Sequence, residues 1–521
     1  MKHFIVTSLL ILFVPQLRAF AATQTDWDKM RPITPRHYVC YRATGPIQVD
    51  GKADEEAWDK APWSEDFVDI EGSAKPAPRL RTRAKMLWDD QYLYVYAELQ
   101  EPHVWGTITK KNEIIFRDND FEVFINPDGN NHNYYEYEMN ALNTIWELTL
   151  KRPYRDNGPV YLGTNLEGLK SAVHVDGTIN NPADEDRGWS VEIAFPWKAL
   201  AKFATKVACP PTDGEQWRLG FSRVEWQTDI ADGKYRKIAG KPENNWIWSP
   251  QGVIDMHRPE RWGYVQFSTA AKGAEFHPDP TASARDALMD VYYRQQEFRN
   301  QHGQYARSLN ELEINPQSTV QMASDGTGYV ASIELGDSGA QGRVLHVRQD
   351  SLIWEDHNGM PPQPVELKEG VAISRVSRGG RSAITVDPVV AELAKGQFKS
   401  PKDGEALQLP DGRSATWKTV KAAKDGLFSG PALAGGYLYC SAKVPSDCIM
   451  LLEAAGDGMA YVNGVPRAGD PYGYGYLRLP VALHAGTNDL LFSVGRGRFH
   501  TKLLPLRQPV MLDTADPTLP D

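Results

Sequence analysis

The sequence contains none of the short motifs that identify the common enzyme classes. A P-loop, a G-x-S-x-G elbow, an H-E-x-x-H zinc motif and a dinucleotide-binding fingerprint are all missing from its 521 residues. The cysteines do not form a C-x-x-C pair, which argues against a structural zinc site. There are 57 basic and 67 acidic residues, whereas proteins that bind nucleic acid usually carry a basic face. We therefore expect no nucleic-acid partner, and we find no catalytic signature.

Long apolar runs are also scarce, and the one that stands out lies at the N-terminus. Residues 4–14 form an apolar stretch after Lys2 and His3, and residues 19–21 read Ala-Phe-Ala. This arrangement is typical of a secretory signal peptide, and the stretch is too short to span a membrane. The pattern predicts a signal peptide over residues 1–21, cleavage near Ala21, and a secreted or periplasmic protein with no membrane span.

Cysteine is rare, with four residues in the whole chain. An oxidising compartment permits disulfides, and four cysteines allow three pairings. Cys440 and Cys448 could bridge a hairpin, while Cys40 and Cys209 could tie together the two ends of one domain. All four could instead be buried free thiols, and the sequence does not choose between these alternatives.

Tryptophan content and hydrophobic periodicity divide the chain into segments. Thirteen of the fifteen tryptophans lie between Trp27 and Trp262, a region in which apolar and polar residues alternate. Helical spacing begins after prolines at 278 and 280, and alternation returns near residue 317. These patterns predict a β-sandwich over 35–270, a linker and helical hairpin over 271–316, a small β segment over 317–369, and a second β domain over 370–510. The predicted fold class is mainly β, with two β-sandwich domains joined by a short helical hairpin and a few extra strands.

An acidic ladder of Asp118, Asp120 and Glu122 is the most suggestive polar group. Residues two apart in a strand point to one face, so these carboxylates would repel one another without a compensating partner. Three interpretations are open. The ladder is a solvated face, it recognises sugar hydroxyls through Glu122, or it is a calcium site with Asp118 and Asp120 as ligands, because Ca²⁺ prefers clustered oxygen atoms.

A second strand carries Glu136 and Glu138. Paired with the first, it could place two carboxylates about 5 Å apart across the strand gap, a separation that suits a retaining glycosidase. An exposed acidic face is the alternative, since a flat sheet offers no obvious means of raising the pKa of one carboxyl group.

Flat aromatic side chains could provide the apolar surface on which sugar rings stack. The candidates are Trp105, Phe116, Trp246 and Trp248. The alternative is a structural role, because most tryptophans in a β-sandwich belong to its core.

Five stretches, in order along the chain, resemble carbohydrate-binding module family 9-like domains. They are residues 46–58 (PIQVDGKADEEAW), 88–95 (WDDQYLYV), 120–125 (DFEVFI), 189–197 (WSVEIAFPW) and 261–263 (RWG). The resemblance covers about residues 38–268. It implies a β-sandwich, binding of sugars or of the chain ends of plant polysaccharides, bound calcium, and frequent attachment to xylanases or other hydrolases.

The sugar site of that family matches this chain in part. The resemblance implies a sugar contact for Glu122 and a stacking role for Phe116, at the position of the family's first platform tryptophan. The family's arginine falls on the strand with Glu136 and Glu138, where the charge is reversed, and its second tryptophan falls near Met256. The predicted sugar-binding residues are Phe116, Glu122, Glu138, Asn245, Trp246 and Trp248, and the predicted metal ligands are Asp118 and Asp120.

Near the C-terminus, residues 461–464 (YVNG) and 485–491 (AGTNDLL) resemble galactose-binding-like jelly-roll modules of glycosidases. This resemblance implies that the C-terminal β domain, residues 370–510, is a second accessory, jelly-roll-like β-sandwich. The adjacent residues 473–476 form a sugar-facing loop or simply a glycine-rich turn.

These observations predict a secreted, non-catalytic carbohydrate-binding protein that acts in polysaccharide recognition and carbohydrate catabolism. Its expected partners are an oligo- or polysaccharide and a separate glycoside hydrolase. Two alternatives remain: a glycoside hydrolase that uses Glu122 with Glu136 or Glu138, and an extracellular protein-interaction module.

Overall fold

The computed structural model describes residues 22–270, 272–315, 319–336, 342–356, 363–374, 376, 387–445, 447–475 and 477–505. The predicted signal peptide lies outside these residues. The fold is mainly β, as predicted, and the chain divides into two compact units, residues 1–278 and 279–521. Within the described ranges, no helix combines the length and apolar character that crossing a membrane requires.

Unit 1 (residues 1–278) contains three short helices and fifteen strands among its described residues. The helices are α1 (Gln24–Met30), α2 (Glu56–Lys60) and α3 (Trp197–Leu200). The strands are β1 (His37–Arg42), β2 (Val68–Asp69), β3 (Thr82–Trp88), β4 (Tyr92–Gln100), β5 (Asp120–Asn126), β6 (Tyr134–Asn140), β7 (Ile145–Leu150), β8 (Val160–Leu162), β9 (Lys170–Asp176), β10 (Gly188–Pro196), β11 (Gln216–Glu225), β12 (Thr228–Ala231), β13 (Lys234–Lys237), β14 (Asn244–Ile247) and β15 (Gly263–Ser268).

Thirteen of these strands form one sheet whose two halves pack face to face. Its order is β8-β7-β6-β5-β11-β15-β1-β3-β4-β10-β9, with β14 and β2 attached beside β11. Rings from the two halves meet in one core, where Tyr137 of β6 contacts Phe195 of β10 edge-on at 5.5 Å. Because side chains alternate along a strand, Phe121, Val123 and Ile125 of β5 enter this core while their neighbours face the other way.

The opening motif at residues 46–58 is held by a buried carboxylate on β10. The indole N–H of Trp58 donates to Oε1 of Glu192 at 3.0 Å, and the backbone N–H groups of Asp50 and Gly51 donate to Oε2 at 2.9 and 3.2 Å. Gly51 has φ +91°, and a Cβ there would lie 2.6 Å from the backbone nitrogen of His174. The motif is therefore structural in this protein.

Unit 2 (residues 279–521) contains two helices and seventeen strands among its described residues. The helices are α4 (Ala282–His302) and α5 (Pro388–Ala394). The strands are β16 (Gln321–Ser324), β17 (Tyr329–Glu334), β18 (Val344–Arg348), β19 (Ile353–Asp356), β20 (Val365–Glu366), β21 (Glu369–Ile373), β22 (Ala406–Gln408), β23 (Ser414–Thr416), β24 (Lys418–Lys421), β25 (Leu427–Ser429), β26 (Gly436–Val444), β27 (Cys448–Ala455), β28 (Asp457–Val462), β29 (Val465–Ala468), β30 (Arg478–Leu483), β31 (Gly486–Val494) and β32 (Arg498–Pro505).

The predicted helical hairpin consists of one long helix and a single 3-10 turn. α4 runs for 21 residues and ends at Gly303, whose φ of +74° is the left-handed conformation that favours glycine at a helix C-terminus. The second element is the 3-10 turn Asn310–Leu312. Gln295 of α4 secures the connection, since its side chain donates to the Ala306 carbonyl at 3.0 Å and accepts from the Ala306 N–H at 2.8 Å.

A second β-sandwich follows the four-stranded sheet β16-β17-β18-β19. Its two sheets, β20-β32-β27-β30 with β25 and β24-β21-β26-β31-β28-β29, enclose one apolar core. Asn463 and Gly464, between β28 and β29, both have positive φ angles of 49° and 82°, as an Asn-Gly hairpin turn requires.

All four cysteines are free thiols. Cys440 lies on β26 and Cys448 on β27, strands that belong to different sheets of the second sandwich. The hairpin disulfide considered for this pair is therefore not formed. Cys40 is buried in the core of unit 1, and the Cys209 thiol donates to the Trp197 carbonyl at 3.3 Å.

Candidate functional site

The face of β5 that points away from the core carries the acidic residues singled out in the sequence. Glu122 lies directly opposite Glu138 of β6, and Asp120 lies opposite Asn140. Cross-strand partners project to the same side of a sheet. The strand pairing therefore brings the two predicted acidic strands together, as the sequence indicated.

Four carboxylates on this face form a compact group, which we call the carboxylate cluster: Asp120, Glu122, Glu136 and Glu138. One oxygen from each of Asp120, Glu122 and Glu138 lies within 4.8 Å of the others. All four residues are at most 6% exposed. The solvated face, one of the three interpretations of the acidic ladder, is therefore wrong for Asp120 and Glu122, which are buried.

The hydrogen bonds of the cluster leave some of its oxygen atoms unused. Oδ1 of Asp120 accepts from the Val224 N–H at 3.1 Å, Oε2 of Glu138 accepts from the Phe116 N–H at 3.2 Å, and Glu122 accepts from Ser222. By contrast, Oδ2 of Asp120 and Oε2 of Glu136 are buried without a hydrogen-bond partner among the described residues.

Burial makes the ionised form of these carboxyl groups costly. It raises the pKa of Glu122 to about 7. Burial, followed by repulsion from neighbouring carboxylates, also raises the pKa of Asp120, Glu136 and Glu138 well above the usual range. The cluster therefore favours uptake of positive charge, either as protons or as a cation.

Asp118 has a different role from the cluster. Its carboxylate accepts hydrogen bonds from the N–H and hydroxyl of Thr107, both at 2.7 Å, from the Ile108 N–H at 2.9 Å and from the Asn140 side chain at 3.0 Å. These contacts occupy both oxygen atoms and fix the loop at residues 107–108. The two predicted metal ligands are therefore separated. Asp120 belongs to the carboxylate cluster, whereas Asp118 is hydrogen-bonded to the loop at residues 107–108.

Phe116 presents an aromatic ring beside the cluster. It is 37% exposed, and its N–H bonds to Glu138. Its carbonyl accepts from the indole N–H of the half-buried Trp226 at 2.8 Å, and the Lys237 ammonium lies 3.4 Å from the centroid of that indole ring. The sequence analysis missed Trp226, because its place next to Phe116 depends on where β11 ends.

The structure corrects the expected roles of three tryptophans. Trp246 and Trp248 are 3% and 1% exposed and belong to the core, and Trp105 is 6% exposed. The pairing of β14 with β11 sets Trp246 beside Arg223, whose guanidinium lies 5.3 Å from the ring. None of these rings offers a free stacking face. Asn245 is opposite Val224, on the same side of the sheet as the cluster, and is half-buried.

Met256 occupies the apolar end of the same face. Its methyl group would lie 2.7 Å from a Cβ at Gly220, the residue of β11 opposite Phe124. Met256 packs with Phe124 and Trp262 in an apolar group separate from the main core. The side chain is half-buried, so it gives the face an aliphatic surface where the sequence analysis placed the family's second platform tryptophan.

A half-buried histidine lies beside this apolar group. Nδ1 of His257 is 2.9 Å from the Tyr134 hydroxyl, and its carbonyl accepts from Arg155 at 2.7 Å. Arg155 also forms an ion pair with Glu260 at 2.9 Å. Burial lowers the pKa of His257 to about 4, so the ring is neutral near pH 7.

Comparison with known proteins identifies the domain that carries this face. Residues 49–265 match the family described as "Carbohydrate family 9 binding domain-like". This segment is a family 9-like domain. The family 9-like domain comprises β2 to β14 together with the beginning of β15, and so includes the whole carboxylate cluster.

Two curated enzymes share part of this sequence. The exoglucanase XynX of Acetivibrio thermocellus is 26% identical over 153 residues, which are 29% of this chain and 12% of that enzyme. The endo-1,4-beta-xylanase C of Paenibacillus barcinonensis is 35% identical over 92 residues, which are 18% of this chain and 8% of that enzyme. The chain thus spans about a tenth of the length of each relative.

One solved structure with a similar chain is a carbohydrate binding module family 9 protein from Caldicellulosiruptor kristjanssonii, determined in complex with cellotriose. It is 13% identical, with a TM-score of 0.28, and the match covers 47% of this chain and 100% of that one.

Proposed function

We propose that this chain is a secreted or periplasmic, non-catalytic protein that binds an oligo- or polysaccharide on the cluster-bearing face of its family 9-like domain. The observation that carries the proposal is the exposed ring of Phe116, fixed by its backbone beside the buried pair Glu122 and Glu138. Membership of residues 49–265 in the family supports the same ligand class. The pattern at residues 2–21 supports secretion.

The chemistry of this face suits a sugar. A pyranose ring has apolar C–H groups that can lie against a flat aromatic side chain, and hydroxyl groups that donate to carboxylates. Phe116 supplies the aromatic surface, and Glu122 and Glu138 supply acceptors. The half-buried amide of Asn245, on the same side of the sheet, could contribute both donors and an acceptor.

The carboxyl groups favour binding over cleavage. A retaining glycosidase pairs one carboxyl group that remains protonated with another that is ionised and acts as nucleophile. Here burial raises the pKa of Glu122, Glu136 and Glu138 alike, so no pair is divided into an acid and an ionised nucleophile. We propose that cleavage, where it accompanies binding, comes from a separate glycoside hydrolase.

Isothermal titration calorimetry of the full chain with xylo-, cello- and galacto-oligosaccharides tests this function. We expect saturable binding of one series, weakened in Glu122→Gln and unchanged in Glu113→Gln, which removes an exposed carboxylate from the same region. Absence of heat for every series would contradict sugar binding. Release of reducing ends by the wild-type chain, lost in the Glu122→Gln/Glu138→Gln double variant, would contradict the non-catalytic assignment.

A further inference from the structure

We propose that the loop at residues 470–475 of unit 2 binds an acidic oligosaccharide, one that contains uronic acid residues. The rings of Tyr472 and Tyr474, which we call the tyrosine platform, provide the stacking surface, and Arg496 binds the carboxylate of the sugar. The inference goes beyond the proposed function, because it concerns a different unit and a sugar of different charge. Residues 473–475 belong to the segment that the sequence predicted to be a sugar-facing loop or a glycine-rich turn.

The tyrosine platform is strongly exposed to solvent. Tyr472 and Tyr474 are each 64% exposed, compared with 37% for Phe116 in unit 1. Their ring centroids lie 5.7 Å apart, with an angle of 22° between the ring planes. The two rings therefore pack against each other at the surface instead of in the core. Adjacent exposed aromatic rings are typical of ligand-binding surfaces, because tyrosine offers a large contact area with few rotatable bonds.

The loop that carries the rings is held in place by a buried carboxylate. Oδ1 of Asp470 accepts from the Gly473 N–H at 3.1 Å, and Oδ2 accepts from the Gly475 N–H at 2.6 Å. The backbone of Asp470 is itself attached to neighbouring strands, since its N–H donates to Oδ1 of the buried Asp457 at 3.3 Å and its carbonyl accepts from the Gly456 N–H at 2.9 Å. A loop ordered before binding loses less conformational entropy when a ligand binds.

Arg496 adds a positive charge beside the tyrosine platform. It is exposed in the turn between β31 and β32, and its guanidinium carbon lies 5.6 Å from the centroid of the Tyr472 ring. Among the described residues, Arg496 forms no ion pair with a carboxylate. The acid of the loop, Asp470, directs both of its oxygen atoms to backbone N–H groups instead. The guanidinium is therefore available to an anion, and it can bind a carboxylate through two parallel hydrogen bonds.

This combination of groups fits a uronic acid better than a protein partner. A uronic acid has a ring with apolar C–H groups, several hydroxyl groups and one carboxylate. The tyrosine rings can contact the C–H groups, and Arg496 can bind the carboxylate. A protein interface normally has a larger apolar core. Apart from the two tyrosines, the exposed residues of the described loop are Pro471, Gly473 and Gly475, which provide little apolar surface.

Charge distinguishes this site from the proposed sugar-binding face of unit 1. That face presents the carboxyl groups of Glu122 and Glu138, whose ionised forms repel an anionic sugar. Arg496 attracts such a sugar. We therefore expect neutral oligosaccharides to bind to unit 1 and acidic oligosaccharides to bind to the tyrosine platform, so that the two sites can be measured separately on the full chain.

Calorimetry of the full chain with oligomers of galacturonate, glucuronate and mannuronate tests the inference. We expect saturable binding of at least one oligomer. Its methyl ester, which has the same backbone without the charge, should bind at least about tenfold more weakly, because the ion pair with Arg496 is lost. Added NaCl should weaken binding of the acid more than binding of the ester, because salt screens exposed charges. Absence of binding for all three oligouronates would overturn the proposal.

Variants of the platform separate stacking from charge. Tyr472→Ala/Tyr474→Ala should lower the affinity for the oligouronate by at least about tenfold, whereas Tyr472→Phe/Tyr474→Phe keeps both rings and should retain most of it. The Tm should change little in both double variants, because the rings are exposed. Unchanged affinity in the alanine variant would overturn the assignment of the site.

Arg496→Gln tests the charge without changing the rings. We expect this variant to bind the oligouronate and its methyl ester with similar affinity, because the charge that distinguishes them is gone. Lys424→Gln, which removes a different exposed charge from unit 2, is the matched control and should still prefer the acid. An unchanged preference for the acid in Arg496→Gln would contradict the role of this arginine.

Failure of this inference and failure of the proposed function give different results. Oligouronate binding that is lost in Tyr472→Ala/Tyr474→Ala, together with no binding of neutral oligosaccharides, would support the platform and contradict the function proposed for unit 1. Binding of neutral oligosaccharides that is weakened in Glu122→Gln, together with no oligouronate binding, would support that function and contradict the platform.

Discussion

The backbone N–H of Phe116 donates a hydrogen bond to Oε2 of Glu138 at 3.2 Å, so an exposed ring and a buried carboxylate belong to one local arrangement. The main chain of Phe116, not its side chain, forms this contact. The ring can therefore be removed while the backbone that supports the cluster stays in place. This separation allows ligand binding and fold stability to be tested independently.

Phe116→Ala should weaken oligosaccharide binding by about tenfold, equivalent to about 1.4 kcal/mol, because the stacking surface is lost. The Tm should change little, since the ring is 37% exposed. Calorimetry and thermal unfolding of the full chain measure both effects. Tyr161→Ala, at a 53% exposed position on β8, is the matched control and should leave binding unchanged. Equal affinity of the wild type and Phe116→Ala would show that the sugar does not contact this ring.

Trp58→Phe should destabilise unit 1 by about 1–3 kcal/mol, the cost of leaving a buried acceptor without its donor. The lost contact is the 3.0 Å hydrogen bond from the indole to Glu192. Urea unfolding followed by tryptophan fluorescence reports mainly on unit 1, because 13 of the 15 tryptophans lie there. Trp63→Phe replaces a half-buried ring on the same segment and should be milder. If the two variants were equally stable, the hydrogen bond would contribute nothing measurable.

His257 should make unit 1 less stable as the pH falls from about 6.5 to about 4. Burial lowers the pKa of this residue from 6.5 to about 4, so in this window the unfolded chain binds a proton that the folded chain does not. The contribution is fully present above pH 6.5 and is lost as the pH falls. His257→Asn, whose amide can replace Nδ1 beside Tyr134, removes the titration. The difference in unfolding free energy between the wild type and His257→Asn should be smaller at pH 5 than at pH 7. An equal difference at both pH values would contradict the prediction.

All four cysteines should react as thiols once the chain is unfolded without reductant. The structure holds them as free residues, with Cys40 and Cys440 buried. Burial raises the pKa of Cys440 to about 12, so alkylation of the folded chain should leave this residue unmodified. Mass spectrometry after iodoacetamide treatment counts the modified sites in each state. Fewer than four modifications in the unfolded chain would indicate a disulfide, and the Tm should be the same with and without dithiothreitol.

Local sequence pattern predicted the strands of the candidate site and their shared face. Alternation placed Asp120 and Glu122 on one face of a strand, and the structure has this arrangement, with Phe121, Val123 and Ile125 on the core side. The pairing of Glu122 with Glu138 was also within reach, because a short connection joins two strands of clear periodicity. These features depend on residues close together in the chain.

The register between strands that are distant in the chain could not be predicted from the sequence. Whether Trp246 and Trp248 face solvent or the core depends on how β14 aligns with β11, about twenty residues away, and a shift of one residue reverses every side chain. The apolar group beside the cluster has a similar origin, since Met256 and Tyr154 pack against it from segments that are distant from β5 in the chain. The separation of Asp118 from Asp120 likewise follows from their hydrogen bonds, which could not be predicted from the sequence.

The alternation along β5 also divides its positions into two sets that tolerate substitution differently. Positions 121, 123 and 125 are constrained by the packing that holds the sheet together, whereas positions 120 and 122 face away from that core. Substitutions at the second set can change what the face binds at little cost to folding. A one-residue deletion in the strand would instead exchange the two sets and drive carboxylates into the core. Diversification of this face is therefore expected to proceed by substitution, with the length of β5 held constant.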